Sequence, residues 1–336
     1  MSPTGQHFKA VAMLVLCTAF WSVSFPAMRA LSLAQQAELS GASTWFISLY
    51  CTFVRFGLSA LLILLPSLAT LRRLTRLEIE QGLGMGLFGA AGIVLQMDGL
   101  AHVDASVSAF LTQSYCLLIP IWVAWRERRW PSVIVVVSCG LVILGVGVLS
   151  KVNWRELRLG RGELETLLAS VFFTGQILWL QRPIYARNNV NHFSLVMFGV
   201  MAAAGAIGAL FSTHAASHWA AAYSTGASWT FIAILVLFST LGGYMLMNHW
   251  QPKLPATQAG LIYCAEPLFV SFMVLFLPAW FGRLAGVEYA NETLDRAVIV
   301  GGGLITVANV LIQVEPWLLA RLKGRGPLGV PTPDRS

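Results

Sequence analysis

Val133-Ile134-Val135-Val136-Val137-Ser138-Cys139-Gly140-Leu141-Val142-Ile143-Leu144-Gly145-Val146-Gly147-Val148-Leu149 runs for more than four helical turns without a charged side chain. A stretch that is apolar on every side has no face to turn to water, and flanking polar residues bound it at span length. The rest of the chain repeats that pattern. Of 336 residues, 57% are apolar and only 11% charged, where an average soluble domain carries about a quarter charged. The same figures exclude disorder, collagen-like repeats and a disulfide-stapled secreted fold.

Windowed apolarity gives ten segments: Ala10–Leu31, Trp45–Leu65, Gln81–Leu100, Ala105–Trp125 and Val133–Leu149, then Leu164–Leu180, Phe193–Phe211, Trp229–Trp250, Ala256–Trp280 and Ala297–Val314. Barrel strands are shorter and alternate in polarity, so the expectation is an all-α integral membrane protein with ten transmembrane helices. The five cysteines all lie in apolar runs with no CxxC pair and read as small core residues. Lys9 ahead of Val11–Phe20 resembles a signal peptide, but the apolar run continues past Trp21 with no small-residue cleavage site, so it is taken as the first span.

The net charge of +7 comes without a basic stripe interleaved with aromatics, so nucleic acid is not an expected partner. Lys and Arg outnumber those of the opposite side about two to one if the N-terminus, the loops at Arg72–Arg76, Arg126–Arg129, Arg182–Arg187 and Lys253, and the C-terminus share one side. That predicts both termini in the cytoplasm of a plasma (inner) membrane protein. The cations Lys151, Arg155, Arg158 and Arg161, between spans five and six, run against the bias.

An offset of 151 residues carries Gly92 onto Gly243, Leu95 onto Leu246, Ala105 onto Ala256 and Leu117 onto Leu268, and superposes the tight links at His102-Val103-Asp104 and Lys253-Leu254-Pro255. Each half then holds five spans, an odd number, so the halves are inverted in the bilayer, an arrangement used by transporters. Residues 10–150 form the first repeat and 162–316 the second. Residues 317–336, rich in Pro, Gly and Arg, are expected to be a disordered basic cytoplasmic tail.

Particular residues carry a resemblance. Ser239-Thr240-Leu241-Gly242-Gly243-Tyr244, Pro255-Ala256-Thr257-Gln258-Ala259-Gly260-Leu261-Ile262 and Glu266-Pro267-Leu268-Phe269 resemble the second EamA repeat of the drug/metabolite transporter superfamily. Phe20-Trp21-Ser22, Arg55-Phe56, Glu127-Arg128 and the glycines Gly140, Gly145 and Gly147, with Gly301–Gly303 as counterparts, resemble the rest. The resemblance implies ten helices in two inverted five-helix repeats. It also implies secondary-active transport, usually export, of small organic metabolites, amino acids or drugs by alternating access. The chain departs from the family pattern at Cys116, where a proline is usual, at Asp98, where an aromatic is usual, and after span nine, where Leu275–Ala279 holds no acid.

Glu266 falls near the middle of span nine, where a carboxylate costs about 2.5–3.5 kcal/mol, so it either faces a cavity or is hydrogen-bonded to a neighbouring helix. Pro267 permits a kink there. Arg55, the one cation well inside a span, is a partner for Glu266 or for an anionic solute, or else a lock between helices. Asp98 and His249 occupy equivalent positions in the two repeats. They read as a proton relay or gate, or as a helix end and an interfacial side chain beside Trp250. Gln96, Gln113, Gln176, Asn248, Tyr263 and Ser24 offer hydrogen-bonding groups at membrane depth. Trp21, Tyr115, Trp179 and Tyr244 offer flat faces.

Two patterns are discounted. Gly84-Met85-Gly86-Leu87-Phe88-Gly89 matches GxGxxG but follows no strand, so helix packing explains it, and His214 and His218 lack a third metal ligand. No cofactor or metal is expected, and the chain is not read as an enzyme. The expected partners are a small-molecule solute, the lipid bilayer and protons as a coupling ion, and a homodimer is compatible with the sequence. The rival readings are a non-transporting membrane scaffold or sensor and, behind it, a lipid-modifying membrane enzyme.

Overall fold

The computed structural model describes residues 3–126, 128, 130–149, 159–213, 215–254 and 256–322. In chain order the helices are α1 (Pro3–Glu38), α2 (Thr44–Ser67), α3 (Arg76–Leu100), the broken pair α4 (Ala105–Thr112) and α5 (Tyr115–Arg126), α6 (Val133–Leu149), α7 (Arg161–Leu180), α8 (Val190–Ser212) and the short α9 (Ala216–Ala221). Then α10 (Gly226–Ile234) passes through a π-helical segment, Leu235–Tyr244, into α11 (Met245–Trp250). A second broken run, α12 (Ala256–Tyr263), α13 (Glu266–Met273) and α14 (Leu277–Ala285), precedes α15 (Arg296–Leu322). Among the described residues there is no strand.

Six segments are long and apolar enough to cross a bilayer: Gln6–Glu38, Thr44–Ser67, Arg76–Leu100, Ala105–Arg126, Val190–Ser212 and Gly226–Lys253. The pair α13 and α14, bent by 61°, makes a seventh if it counts as one span. The architecture is that of an all-α membrane protein. The apolar parts of α6 and α15, Val133–Val148 and Arg296–Ile312, are shorter, and the first turns of α7 carry Arg161, Glu163 and Glu165, which dilute its apolarity. The last helix runs to Leu322, past the start of the expected tail. The remainder, 323–336, lies outside the described residues, as do Arg129, Lys151, Arg155 and Arg158 of the charge bias and Pro255 of the repeat alignment.

The bundle is oily on its outer surface and buries its polar and charged side chains within a largely apolar core. Leu65, Ile143 and Phe211 are exposed, whereas Arg55, Asp98, Gln113 and Glu266 are buried. In lipid this is the expected inversion, because apolar side chains lose nothing by facing acyl chains while a polar group must find a partner or water. Polar caps fix the starts of α2 and α3. The Ser43 hydroxyl accepts from Phe46 N at 3.1 Å to begin α2, and Thr75 with Glu78 forms a reciprocal capping box on α3.

Close helix contacts depend on small residues. α2 packs along α8, α3 along α7 and α8, α6 along α15, and α1 against the π-helical segment. At Gly205 a side chain would meet the Phe53 amide nitrogen at 2.6 Å and the Leu49 carbonyl at 2.7 Å, so α2 and α8 touch backbone to backbone. The GxGxxG run serves the same end. A Cβ on Gly86 would strike Val200 of α8, and one on Gly84 would strike the Trp179 ring of α7.

Candidate functional site

Two helix breaks lie against each other. α4 ends at Thr112 and α5 starts at Tyr115, while α12 ends at Tyr263 and α13 starts at Glu266. Pro267 explains where the second break falls. Without an N–H it cannot continue the preceding helix, but its fixed φ suits the first turn of a new one. Gln113, in the first break, donates through Nε2 to Glu266 Oε2 in the second at 2.9 Å. The sulfurs of Cys116 and Cys264 lie 3.9 Å apart. Ser22 of α1 donates to the Glu266 carbonyl at 3.2 Å. The carboxylate sits where unpaired amides and the helix dipole favour negative charge.

Arg55 is 1% exposed. Its Nε donates to Thr240 Oγ1 at 2.7 Å, its Nη2 to Ser239 Oγ at 2.8 Å and its Nη1 to the soft Met28 sulfur at 3.5 Å, and the guanidinium lies 4.9 Å from the Phe56 ring centre. Ser239 and Thr240 belong to the π-helical segment, where the Thr240 hydroxyl donates five residues back to the Leu235 carbonyl. Such widened turns occur often at functional sites because they redirect side chains. Arg55 and Glu266 do not pair. The partners of Arg55 among the described residues are neutral, so its charge is left for whatever enters the space beside it.

That space is a central cavity of about 60 Å³, room for about four waters. Arg55 and Glu266 both line it, with Trp21, Ser24 and Phe25 from α1 and Ile93 and Gln96 from α3. Thr112 and Tyr115 contribute from the first break, Phe173, Gln176 and Ile177 from α7, and Ser239, Tyr244 and Met247 from the π-helical region. The indole N–H of Trp21 is buried with no hydrogen-bond partner among the described residues, an unused donor at the wall. Gln96 donates to Thr112 Oγ1 at 3.1 Å, and Gln176 to the Met85 carbonyl at 3.0 Å.

The structure thus brings together Trp21, Ser24, Arg55, Gln96, Tyr115, Gln176, Tyr244 and Glu266 from the residues singled out in the sequence. Gln113 and Tyr263 stand behind them: Gln113 on Glu266, and Tyr263 with its ring 5.5 Å from Trp21 and its hydroxyl on Gln251. Asn248 donates to Ser194 at 2.9 Å. It borders a separate gap at one end of the bundle, with His249, Asn188 and Lys253. His249 accepts from Lys253 Nζ at 2.5 Å and lies against Trp250. Asp98 is fully buried away from the cavity and bonded to Arg161, a cation that runs against the charge bias. Sequence reasoning missed Thr112 as a lining residue and missed the Ser239/Thr240 hydroxyls as the seat of Arg55. His218 is held by Thr213, and His214 lies outside the described residues.

No protein-family model matches the chain, and no curated protein matches it. Among solved structures, one described only as "Crystal structure of protein" shares the fold, with a TM-score of 0.56 at 17% identity over 94% of this chain and 98% of its own.

Proposed function

We propose that the chain is a secondary-active transporter that moves a small organic metabolite, amino acid or drug by alternating access, in the export direction usual for EamA-type proteins. On this reading its ten helical runs are two inverted five-helix repeats crossing a plasma membrane, with both termini in the cytoplasm. The observation that carries the reading is the pair of facing breaks around a cavity that holds Arg55 and Glu266 in a mostly apolar wall. The 151-residue offset carries Ala105–Thr112 onto Ala256–Tyr263 and Tyr115 onto Glu266, so the two breaks are equivalent positions of two related halves. The self-pairings of α2 with α8 and α6 with α15 fit the same relation, since each joins a helix to its own counterpart. Broken helices meeting mid-bundle are where transporters expose backbone and charge to a solute.

The chemistry is that of a binding site. Arg55 offers a planar fork to a carboxylate, phosphate or sulfonate, Glu266 offers an acceptor, and Trp21, Tyr115 and Tyr244 offer flat walls to an amphipathic body. A scaffold has no need to bury an arginine against neutral partners, at a cost of several kcal/mol in lost solvation. The cavity has room for about four waters and must widen to admit cargo. Protons are the candidate coupling ion. The test is counterflow in proteoliposomes loaded with metabolite pools. Trans-stimulated uptake of one compound class identifies the cargo. Absence of any exchange, from protein shown to be folded, refutes transport.

A further inference from the structure

We propose a divalent transition-metal site formed by Asp98, His102 and Glu165, at the end of the bundle where α3 meets α7. One potential ligand atom from each residue lies within 4.8 Å of the others. Two glycines bring the helices together. A Cβ on Gly99 would meet the Gly162 carbonyl at 2.9 Å, and one on Gly162 would meet the Gly99 carbonyl at 2.8 Å and the His102 Cβ at 3.0 Å. The carboxylates of Asp98 and Glu165 are therefore pressed into one space from two helices.

Their oxygens divide into two sets. Arg161 takes the outer pair: Nη2 bonds Asp98 Oδ2, and Nε bonds Glu165 Oε1 at 2.7 Å. Asp98 Oδ1 and Glu165 Oε2 are buried and have no hydrogen-bond partner among the described residues, although Asp98 is 0% exposed. Two buried carboxyl oxygens left without a donor on one side are costly unless a shared proton or a metal cation lies between them, and the imidazole of His102 beside them favours the metal. The guanidinium holds the outer oxygens as a positioning partner and reduces the charge of the pair to one net negative. His102, by contrast, is exposed and lines the open gap with Arg29, Asp104, Glu163 and Glu292, which gives an ion a route from solvent. Ligand atoms around a tetrahedral ion lie about 3.3 Å apart, so the imidazole needs to swing inward by up to about 1.5 Å. One imidazole and two carboxylates, with positions left for water, suit Zn²⁺, Co²⁺ or Mn²⁺ better than Ca²⁺ or Cu⁺. A bound ion would join α3 to α7 and hold this end of the bundle together.

The test uses full-length protein in detergent, stripped with chelator and titrated with CoCl₂, and in parallel with ZnCl₂ by calorimetry. The site predicts one saturable equivalent with a cobalt d–d spectrum of mixed nitrogen and oxygen ligation. His102→Ala, at an exposed position that leaves the fold intact, and Glu165→Gln each weaken binding at least tenfold, while the gap-lining control Glu163→Gln binds as the wild type does. Wild-type protein that takes up no cobalt or zinc overturns the proposal, as does binding that His102→Ala and Glu165→Gln leave unchanged. Transport plays no part in this readout, so its outcome is independent of the transporter reading.

Discussion

Replacing Arg55 with methionine separates a structural role for the arginine from a solute-binding one. In the structure the guanidinium makes two good hydrogen bonds, to Thr240 and Ser239, and one poor one to Met28. Each charge-assisted bond contributes about 1.5–3 kcal/mol. Against that stands the cost of keeping an unpaired cation out of water, several kcal/mol. Methionine fills much of the same volume without the charge. Thr240 keeps its bond to the Leu235 carbonyl, and Ser239 still faces the cavity. The opposing effects leave a net stability change within about 2 kcal/mol, of either sign. Solute affinity fares differently. Losing a desolvated charge partner costs about 2–5 kcal/mol, which is about 30- to 4,000-fold at about 1.4 kcal/mol per tenfold. The assay pairs thermal unfolding in detergent with half-saturation of counterflow in proteoliposomes. A variant with near-native unfolding and loss of saturable uptake supports the account. A variant that transports normally refutes the anion-anchor role, and one destabilised by more than about 4 kcal/mol would make Arg55 a staple of the π-helical segment.

Glu266→Gln keeps an oxygen that accepts from Gln113, so the protein should elute and unfold like the wild type while flux falls to background; unchanged flux rejects a role for the carboxylate. Gly205→Ala should lower stability by about 1–3 kcal/mol, because its Cβ meets backbone of α2 that cannot yield. Gly57→Ala on the same interface, with only ordinary contacts, should be neutral or stabilising, and equal effects of the two would discount close backbone packing. Glu292 reaches from the α14–α15 loop to accept from the Ala105 and Ser106 amides and the Ser106 hydroxyl. Burial nevertheless holds its carboxyl above the usual range. A raised folded-state value means the folded protein binds the proton more tightly, so this contribution to stability is full in acid and declines as pH rises through the folded-state titration. Unfolding midpoints measured across that range should fall in the wild type and flatten in Glu292→Gln.

Much of the site was legible because charge in oil is rare. Arg55 and Glu266 stood out as ionisable groups deep inside apolar runs, and both line the cavity. The break at Glu266 was legible from Pro267. Its counterpart at Gln113-Ser114 has no proline and was not legible in Ala105–Trp125, which reads as one continuous apolar run. The π-helical stretch was not legible, since hydrophobic periodicity is tuned to 3.6 residues per turn and a widened turn leaves the same apolar composition. Asp98 illustrates the opposite difficulty. It carries the same signal as Glu266, an acid inside a span, yet its partner Arg161 comes from the start of α7, a pairing that only the fold brings about. For α6, α7 and α15 the apolar windows did not reveal how far each helix extends or how charges near its ends dilute its apolarity.

Alternating access requires that the central cavity be reached from both sides of the membrane in turn. Ser24 lines that cavity, so Ser24→Cys in a chain freed of its five native cysteines reports on access through labelling by a membrane-impermeant thiol reagent, applied to either side of oriented vesicles. Labelling from both sides, with solute changing the two rates in opposite directions, is the predicted result. Labelling from one side alone, whatever solute is present, would contradict alternating access.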